Sequence, residues 1–221
     1  VRFKGPVPES TTGQILLPER LLDDSGRPLV NAQRFPLEVR FDAAPPLVKF
    51  AAPFGILEAK EGGVLPVTVR NVEPALQGKT LAVGGKVARV GDDDGAVARW
   101  LRTLDKAGKN DFREEKRGGE TVTVNHTGAT PILDKTADAQ PMNVALPGKG
   151  RPFEVVGIPL ARPGFYVVEL ASPALGQALL GRKATRYVAA GALVTNLAVH
   201  FEWGRELSLA WVTALDSGDA V

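Results

Sequence analysis

The chain has 221 residues, a formal net charge of +2 and 44% apolar residues. This length allows one large domain or two smaller ones with a sizeable core, and the small charge gives no reason to expect binding to nucleic acid or to an anionic membrane. The absence of cysteine excludes disulfides, thiolate zinc sites and a cysteine nucleophile within these residues. No run of about 18 apolar residues occurs, so the sequence predicts no membrane-spanning helix.

The first strand is predicted at residues 34–42, where apolar and polar residues alternate as they do in a half-buried strand. Its apolar members are Phe35, Leu37, Val39 and Phe41. Pro45 and Pro46 follow, and because proline cannot donate to a strand ladder, the strand should end before them. We therefore predict a domain boundary near residue 45, with residues 1–44 forming the C-terminal part of a preceding β-sandwich domain.

Short apolar segments separated by glycine and proline continue through the middle of the chain. They predict strands at 65–70, 81–90, 153–160, 165–170 and 185–188. The pair Gly84-Gly85 is interpreted as a turn that interrupts the second of them. This spacing is typical of an all-β protein with an antiparallel β-sandwich. We assign residues 45–190 to one central sandwich domain.

One segment has helical rather than strand periodicity. Val97, Trp100, Leu101 and Leu104 lie at i, i+3, i+4 and i+7, which places them on one face of a helix. The three aspartates 92–94 precede them and can cap the N-terminus, and Gly108 is placed to end the helix. The sequence therefore predicts a helix over 94–107, inserted between strands, with its apolar stripe on the sandwich.

Residues 108–152 carry weaker signals. They include a charged run at 109–117, a strand candidate at 121–124, and a stretch rich in proline and glycine at 147–152. We expect long connections on the surface here.

Residues 192–221 show the clearest alternation in the chain. The apolar positions are Leu193, Leu197, Val199, Phe201 and Trp203, and after Gly204 they are Leu207, Leu209, Trp211 and Leu215. A period of two gives each strand one apolar face, and Asp216-Ser217-Gly218 predicts a turn. We expect residues 191–221 to be the first strands of a following domain, and the chain to be a piece of a longer protein.

Three segments resemble bacterial alpha-2-macroglobulins and occur in a consistent order. They are PPLVKFAAPFGILE at 45–58, PGFYVVELASPALGQALLG at 163–181 and ALVTNLAVHFEWGRELSLAWVTALDSG at 192–218. The resemblance implies macroglobulin-like domains, which are fibronectin-like β-sandwiches, in a large periplasmic protein that traps proteases and takes part in bacterial defence. It also implies that a thioester, where the family has one, uses a Cys-x-Glu-Gln motif, which this cysteine-free chain cannot contain.

The same resemblance sets the expected partners and location. The partners are the neighbouring domains of the same chain and, through the full-length protein, host or competitor proteases. No contact with nucleic acid and no direct membrane contact by these residues are expected. The resemblance allows an anchor to the inner membrane elsewhere in the full-length protein. An alternative function is a binding module of a periplasmic or cell-surface adhesin-like protein, which a contiguous exposed aromatic or apolar patch would favour. An enzyme is the least favoured alternative.

The candidate chemical groups are few. His126 and His200 are the two histidines. His200 lies on the polar face of a predicted strand and is interpreted as a surface or interdomain residue rather than a ligand, and His126 is placed in a predicted turn at 125–128. Asn125-His126-Thr127 matches a glycosylation sequon, which carries little weight in a bacterial protein. Gly-x-Ser-x-Gly, His-Glu-x-x-His and a P-loop are all absent from the sequence.

Two further patterns have a structural and a functional interpretation. The aspartates 92–94 lack the alternating carboxylates and the downstream glutamate of an EF-hand, so helix capping is favoured over calcium binding. Trp100, Trp203 and Trp211 would form a sugar-binding platform if they were exposed together, but their apolar faces favour packing in a core or between domains. We predict no catalytic, cofactor-binding or metal-binding residue, and no cofactor.

Overall fold

The computed structural model describes residues 8–70, 82–91, 93–145 and 154–221. The chain divides into two units, Val1–Pro45 and Pro46–Val221. In the first unit, β1 (Thr11–Ile15) and β2 (Leu37–Phe41) pair antiparallel, and a 3-10 turn spans Ala32–Arg34. The half-buried strand predicted at 34–42 is confirmed over the residues of β2. None of residues 8–45 is buried, so this unit has no core among the residues described.

The second unit holds two sheets and two hairpins. Its strands in chain order are β3 (Leu47–Phe50), β4 (Phe54–Glu58), β5 (Val64–Arg70), β6 (Ala82–Val90), β7 (Phe112–Arg117), β8 (Glu120–Asn125), β9 (Gln140–Ala145), β10 (Glu154–Pro159), β11 (Gly164–Ser172), β12 (Arg186–Thr195), β13 (Leu197–Trp203) and β14 (Ser208–Ala214). One sheet has the order β10-β5-β3 and the other the order β4-β12-β11-β6-β9. The pairs β7-β8 and β13-β14 form separate two-stranded sheets.

The two larger sheets pack face to face around one core. Buried residues from both sheets contact one another there, including Val67 and Val69 of β5 with Val168 and Leu170 of β11. Burial of such side chains is the main favourable term in folding. All neighbouring strands run antiparallel except β4 and β12, which are parallel. The predicted antiparallel β-sandwich is therefore confirmed, with one parallel pair at the edge of the larger sheet.

The predicted helix is confirmed as α1 (Asp94–Gly108). Its N-terminus is capped by Asp93, whose carboxylate accepts the backbone N–H of Ala96 at 2.6 Å. Leu104 is buried in a second apolar cluster on the outer face of the five-stranded sheet, and Trp100 packs half-buried against that cluster. The stripe is narrower than predicted, because Leu101 lies about 60° around the helix from Leu104 and is 38% exposed.

A second helix was not predicted. α2 (Pro173–Leu180) follows β11 directly. The hydroxyl of Ser172 accepts the N–H of Leu175 at 3.1 Å, Pro173 occupies the first turn, and Gly181 ends the helix in the left-handed conformation. These are ordinary helix start and stop residues. The helix was missed because its eight residues continue the apolar run of the strand before it.

The interpretation of Gly84-Gly85 as a turn was wrong, because β6 runs straight through both residues. A Cβ on Gly85 would lie 2.3 Å from the carbonyl oxygen of Glu169 on the adjacent β11. Glycine at this position therefore permits close approach of two strands rather than a change of direction.

The expectation of long surface connections over 108–152 was wrong for part of that range. The charged run forms β7, which pairs with β8 across a turn at Gly118-Gly119, where both glycines have positive φ. The strand predicted at 121–124 is confirmed as part of β8. The stretch 147–152 lies outside the described residues.

The expected boundary between residues 190 and 191 falls inside β12, which continues to Thr195. The two strands predicted beyond it are present as β13 and β14. The division of the chain into three domains stays a prediction. In the ranges that the structure describes, no helix is long and apolar enough to cross a membrane.

Candidate functional site

The main exposed apolar surface of the second unit lies on β13. We call it the apolar row, and its members with their exposed fractions are Leu197 (44%), Val199 (66%), Phe201 (63%) and Trp203 (84%). All four lie on one face because side chains alternate along a strand. A contiguous set of large exposed apolar side chains marks a place where another surface binds.

The register of the hairpin decides which residues join this row. His200 is paired with Trp211 and Phe201 with Ala210, and residues opposite each other in an antiparallel pair share a face. Small side chains of β14, at Ala210 and Ala214, therefore lie beside the apolar row. Val212 also lies on that face, opposite Val199, whereas Leu209 and Trp211 lie on the other face and point away from the apolar row.

The edge of β14 is extended by the residues that follow the turn at Asp216-Ser217-Gly218. The N–H of Ala214 donates to the carbonyl of Asp219 at 2.8 Å, and the N–H of Val221 donates to the carbonyl of Val212 at 3.0 Å. Gly218 supports the turn with φ of 77°. The two bonds flank an isolated antiparallel bridge between Thr213 and Ala220.

The tryptophans do not form a shared platform. Trp203 and Trp211 lie on opposite faces of the hairpin, and Trp100 packs on the sandwich through α1. Trp211 stacks on His200, with ring centroids 4.8 Å apart and planes 21° from parallel. His200 Nε2 lies 3.2 Å from the hydroxyl of Thr213. His200 is thus an exposed residue of the hairpin, on the face opposite the apolar row.

His126 is held by groups from two elements. The guanidinium of Arg182 donates to Nδ1 at 3.2 Å, and a guanidinium has no acceptor, so Nε2 is the ring nitrogen that carries hydrogen and donates to Glu115 at 2.6 Å. Hydrogen bonds from Arg117 and from His126 lower the pKa of the Glu115 carboxyl. The bond to Arg182 joins the β7–β8 hairpin to the segment after α2, and the bond to Glu115 lies within the hairpin.

The sequon residues are also engaged in the fold. The side-chain amide of Asn125 donates to the carbonyl of Leu179 at 3.2 Å, and its oxygen accepts the N–H of Thr127 at 2.9 Å. The buried hydroxyl of Thr127 accepts the N–H of Asp111. These contacts make the turn after β8 a structural connection.

Glu169 is the notable charged residue that sequence reasoning missed. It lies on the central strand β11 and is 3% exposed. Its carboxylate accepts the backbone N–H of Ile132 at 2.5 Å and of Leu133 at 3.4 Å. Burial raises the pKa of this carboxyl, against the opposing effect of the two hydrogen bonds. The available signal was a single glutamate inside the apolar run 165–170.

Glu169 acts as an anchor for the segment between β8 and β9. By binding two successive N–H groups it holds Leu133, which is fully buried, in the cluster beneath α1. Lys86 on β6 pairs with Asp134 of the same segment at 2.8 Å. The arrangement fixes a loop over a sheet, and it offers no pair of acid and base groups facing an open cleft.

The aspartates predicted to cap α1 are placed as expected at Asp93, while Asp92 lies outside the described residues. Within the part of the chain that the structure describes, no three histidine, aspartate or glutamate residues are grouped closely enough to hold a metal ion.

Comparison with known proteins gives structural likeness without sequence matches. No family model matches the chain, and no curated protein does. A crystal structure of native alpha-2-macroglobulin from Escherichia coli spanning domains MG0-NIE-MG1 is 15% identical, with a TM-score of 0.47, over 83% of this chain and 50% of that one. A second, spanning domains NIE-MG1, is 16% identical, with a TM-score of 0.46, over 80% and 73%.

The chain is similar in structure to these macroglobulin domains. It spans half the length of the first of the two structures.

Proposed function

We propose that this chain is a structural segment of a bacterial alpha-2-macroglobulin-like protein that traps proteases. Its role is to hold neighbouring domains of the same polypeptide in place. The observation that carries the structural role is the apolar row on β13, which remains exposed among the described residues. The family assignment is supported by the three resembling segments, which fall on β3 and β4, on β11 and α2, and on the stretch from β12 to β14.

The occupant of the apolar row is a β-sheet of a neighbouring domain in the same polypeptide. A two-stranded hairpin is at best marginally stable alone and needs further strands or a packed face. Only an isolated bridge between Thr213 and Ala220 lies beside β14 among the described residues, so the apolar face of the hairpin needs cover from another sheet. In a sandwich, the apolar face of such a sheet packs on a second sheet about 10 Å away.

The chain itself carries no catalytic role in this proposal. Bait cleavage and thioester capture, as the resemblance implies them, belong to other parts of the full-length protein, which is periplasmic. Contact with host or competitor proteases is made by that larger assembly.

A binding module of an adhesin-like protein is the second candidate. The observation in its favour is Trp203, which is 84% exposed, because an exposed tryptophan face can stack on a sugar. The two proposals differ in what covers the row: a sheet of the same polypeptide in the first, and a separate ligand in the second.

Hydrogen exchange tests the proposal when it is measured on the longest reading frame that encodes these residues and on the 221-residue chain. We expect the amides of β13 and β14 to be strongly protected in the longer protein and weakly protected in the shorter one. The amides of β11 serve as the internal control and should be protected in both. Equal, weak protection of the hairpin in both proteins, or a reading frame that adds no further strands, contradicts the proposal. A dimer of the 221-residue chain that protects β13 would contradict it as well.

A further inference from the structure

We infer that the hairpin β13–β14 is fixed in direction by a built joint at the end of the sandwich, in which Asn196 is the positioning residue and Lys60–Asp216 is a salt-sensitive brace. We call this the hairpin joint, and its members are Ala59, Lys60, Thr195, Asn196, Leu215 and Asp216. The inference goes beyond the proposed function and does not depend on it, because every contact lies within residues 46–221.

The turn after β4 provides the fixed side of the joint. The N–H of Gly62 donates to the carbonyl of Ala59, and the N–H of Gly63 donates to the carbonyl of Glu58. Gly63 has positive φ, and a Cβ there would lie 2.5 Å from the carbonyl oxygen of Leu160. This turn connects a strand of the larger sheet with β5 of the smaller one, so it is held by both layers of the sandwich.

Asn196 joins this turn to both ends of the hairpin. Its side-chain oxygen accepts the backbone N–H of Lys60 at 3.0 Å, and its carbonyl accepts the N–H of Leu215 at 2.8 Å. Asn196 is itself the single residue between β12 and β13. One residue thus connects the entry of the hairpin, its exit and the sandwich.

Two further bonds restrict the backbone at the same point. The N–H of Ala59 donates to the carbonyl of Thr195 at 3.0 Å, which extends the parallel ladder of β4 and β12 by one bond. The hydroxyl of Thr195 accepts the N–H of Leu197 at 3.1 Å. With φ and ψ constrained on each side of Asn196, the hairpin cannot swing freely about one peptide.

Lys60 and Asp216 form the brace. The lysine ammonium donates to the Asp216 carboxylate, and this contact is the first cause that raises the pKa of Lys60 and lowers the pKa of Asp216. The lysine side chain is 58% exposed and the aspartate side chain 32% exposed. An exposed pair is weak and is screened by salt, whereas the hydrogen bonds that Asn196 accepts through its side-chain oxygen and its carbonyl are not. The hydrogen bonds of Asn196 are therefore the part of the joint that does not depend on salt, and the Lys60–Asp216 ion pair is the part that weakens as ionic strength rises.

The experiment measures the direction of the hairpin by double electron–electron resonance on the 221-residue chain. The chain has no cysteine, so Val155→Cys on β10 and Ser208→Cys on β14 place two spin labels at exposed sites away from the joint. We expect a narrow distance distribution for the otherwise unchanged chain. Asn196→Ala should broaden it at every salt concentration, and the exposed Asn110→Ala, the matched control, should leave it narrow.

The brace is tested with the same labels. Lys60→Gln should broaden the distribution slightly at low salt and have no effect at about 1 M salt, where the Debye length is about 3 Å. Lys60→Asp alone should broaden the distance distribution. Exchanging the charges with Lys60→Asp and Asp216→Lys together should make it narrow again.

Hydrogen exchange of the Lys60 amide separates a local effect from a general loss of stability, because a general loss would also speed the exchange of amides in the sandwich. We expect roughly five- to tenfold faster exchange in Asn196→Ala, with the amide of Val167 on β11 unchanged as proof that the sandwich is folded. An unchanged distance distribution and unchanged Lys60 exchange in Asn196→Ala would overturn the inference. Equal broadening by Asn110→Ala would overturn it too.

Discussion

The sandwich strand β11 and the hairpin strand β13 have similar apolar content and different environments. All six residues from Phe165 to Leu170 are buried, because sheets, α1 and the anchored segment 129–139 cover both faces of the strand. On β13 the large apolar side chains face outward. The comparison shows that a strand pattern predicts which side chains share a face. Whether that face is buried depends on residues that are distant in the sequence.

The largest expected difference between the two regions is in stability. Leu170→Ala removes a buried side chain from β11 and should lower the free energy of unfolding by about 2–5 kcal/mol. The same substitution at Leu197, on the exposed row, should change it by about 0.5 kcal/mol or less. Urea unfolding followed by far-ultraviolet circular dichroism measures both. Similar losses for the two variants would show that β13 is as well packed as β11.

The close approach of β6 and β11 at Gly85 predicts the next largest effect on stability. Gly85→Ala places a Cβ against the backbone of β11, and we expect a loss of about 1–3 kcal/mol from forced displacement. Gly84→Ala is the matched control, since the nearest atom to a Cβ there is 3.8 Å away; it should be neutral or slightly stabilising. Equal effects in urea unfolding would show that the two strands are not in close contact.

The anchor of segment 129–139 predicts a pH effect. Because burial raises the pKa of Glu169 in the folded protein, the folded state binds this proton more tightly than the unfolded state. The contribution of Glu169 is then most favourable below its unfolded pKa and declines as pH rises through the folded pKa. Compared with Glu169→Gln, the unaltered chain should lose relative stability between acid and neutral pH. Unfolding curves at several pH values test this, and a constant difference would contradict it.

The smallest expected effect is on proteases. The 221-residue chain is about the size of a small protease and cannot enclose one, and without cysteine it has no disulfide to brace a blocking loop. At equimolar ratio it should leave trypsin and elastase activity unchanged toward a small and a large substrate. Stoichiometric loss of either activity would point to an autonomous inhibitor and against a structural segment.

The elements with strong periodicity could be predicted from the sequence. α1 was found because its apolar positions repeat at helical spacing and a capping aspartate precedes them. The β13–β14 hairpin was found because apolar and polar residues alternate over two successive stretches. In each case the signal is local, so one sequence was enough.

The missed features depend on contacts between distant residues. Gly85 has the composition of a turn, and only its approach to β11 explains it. The role of Glu169 requires the N–H groups of Ile132 and Leu133, which are 37 and 36 positions away. The register of the hairpin, which places Trp203 and Trp211 on opposite faces, cannot be read from the period of each strand alone. Asn196 gave no sequence signal, because its partners Lys60 and Leu215 belong to other elements.

The central claim is that the sandwich is stable within the 221 residues and that the hairpin needs a further surface to be stable. Native-state hydrogen exchange of the 221-residue chain tests this claim most directly. Amides of β11 and β12 should exchange only through global unfolding, since both strands lie inside the five-stranded sheet. Amides in the outer part of the hairpin, near Trp203 and Ser208, should exchange orders of magnitude faster. Protection of those amides equal to that of β11 would contradict the account, because the apolar row would then be covered within this chain.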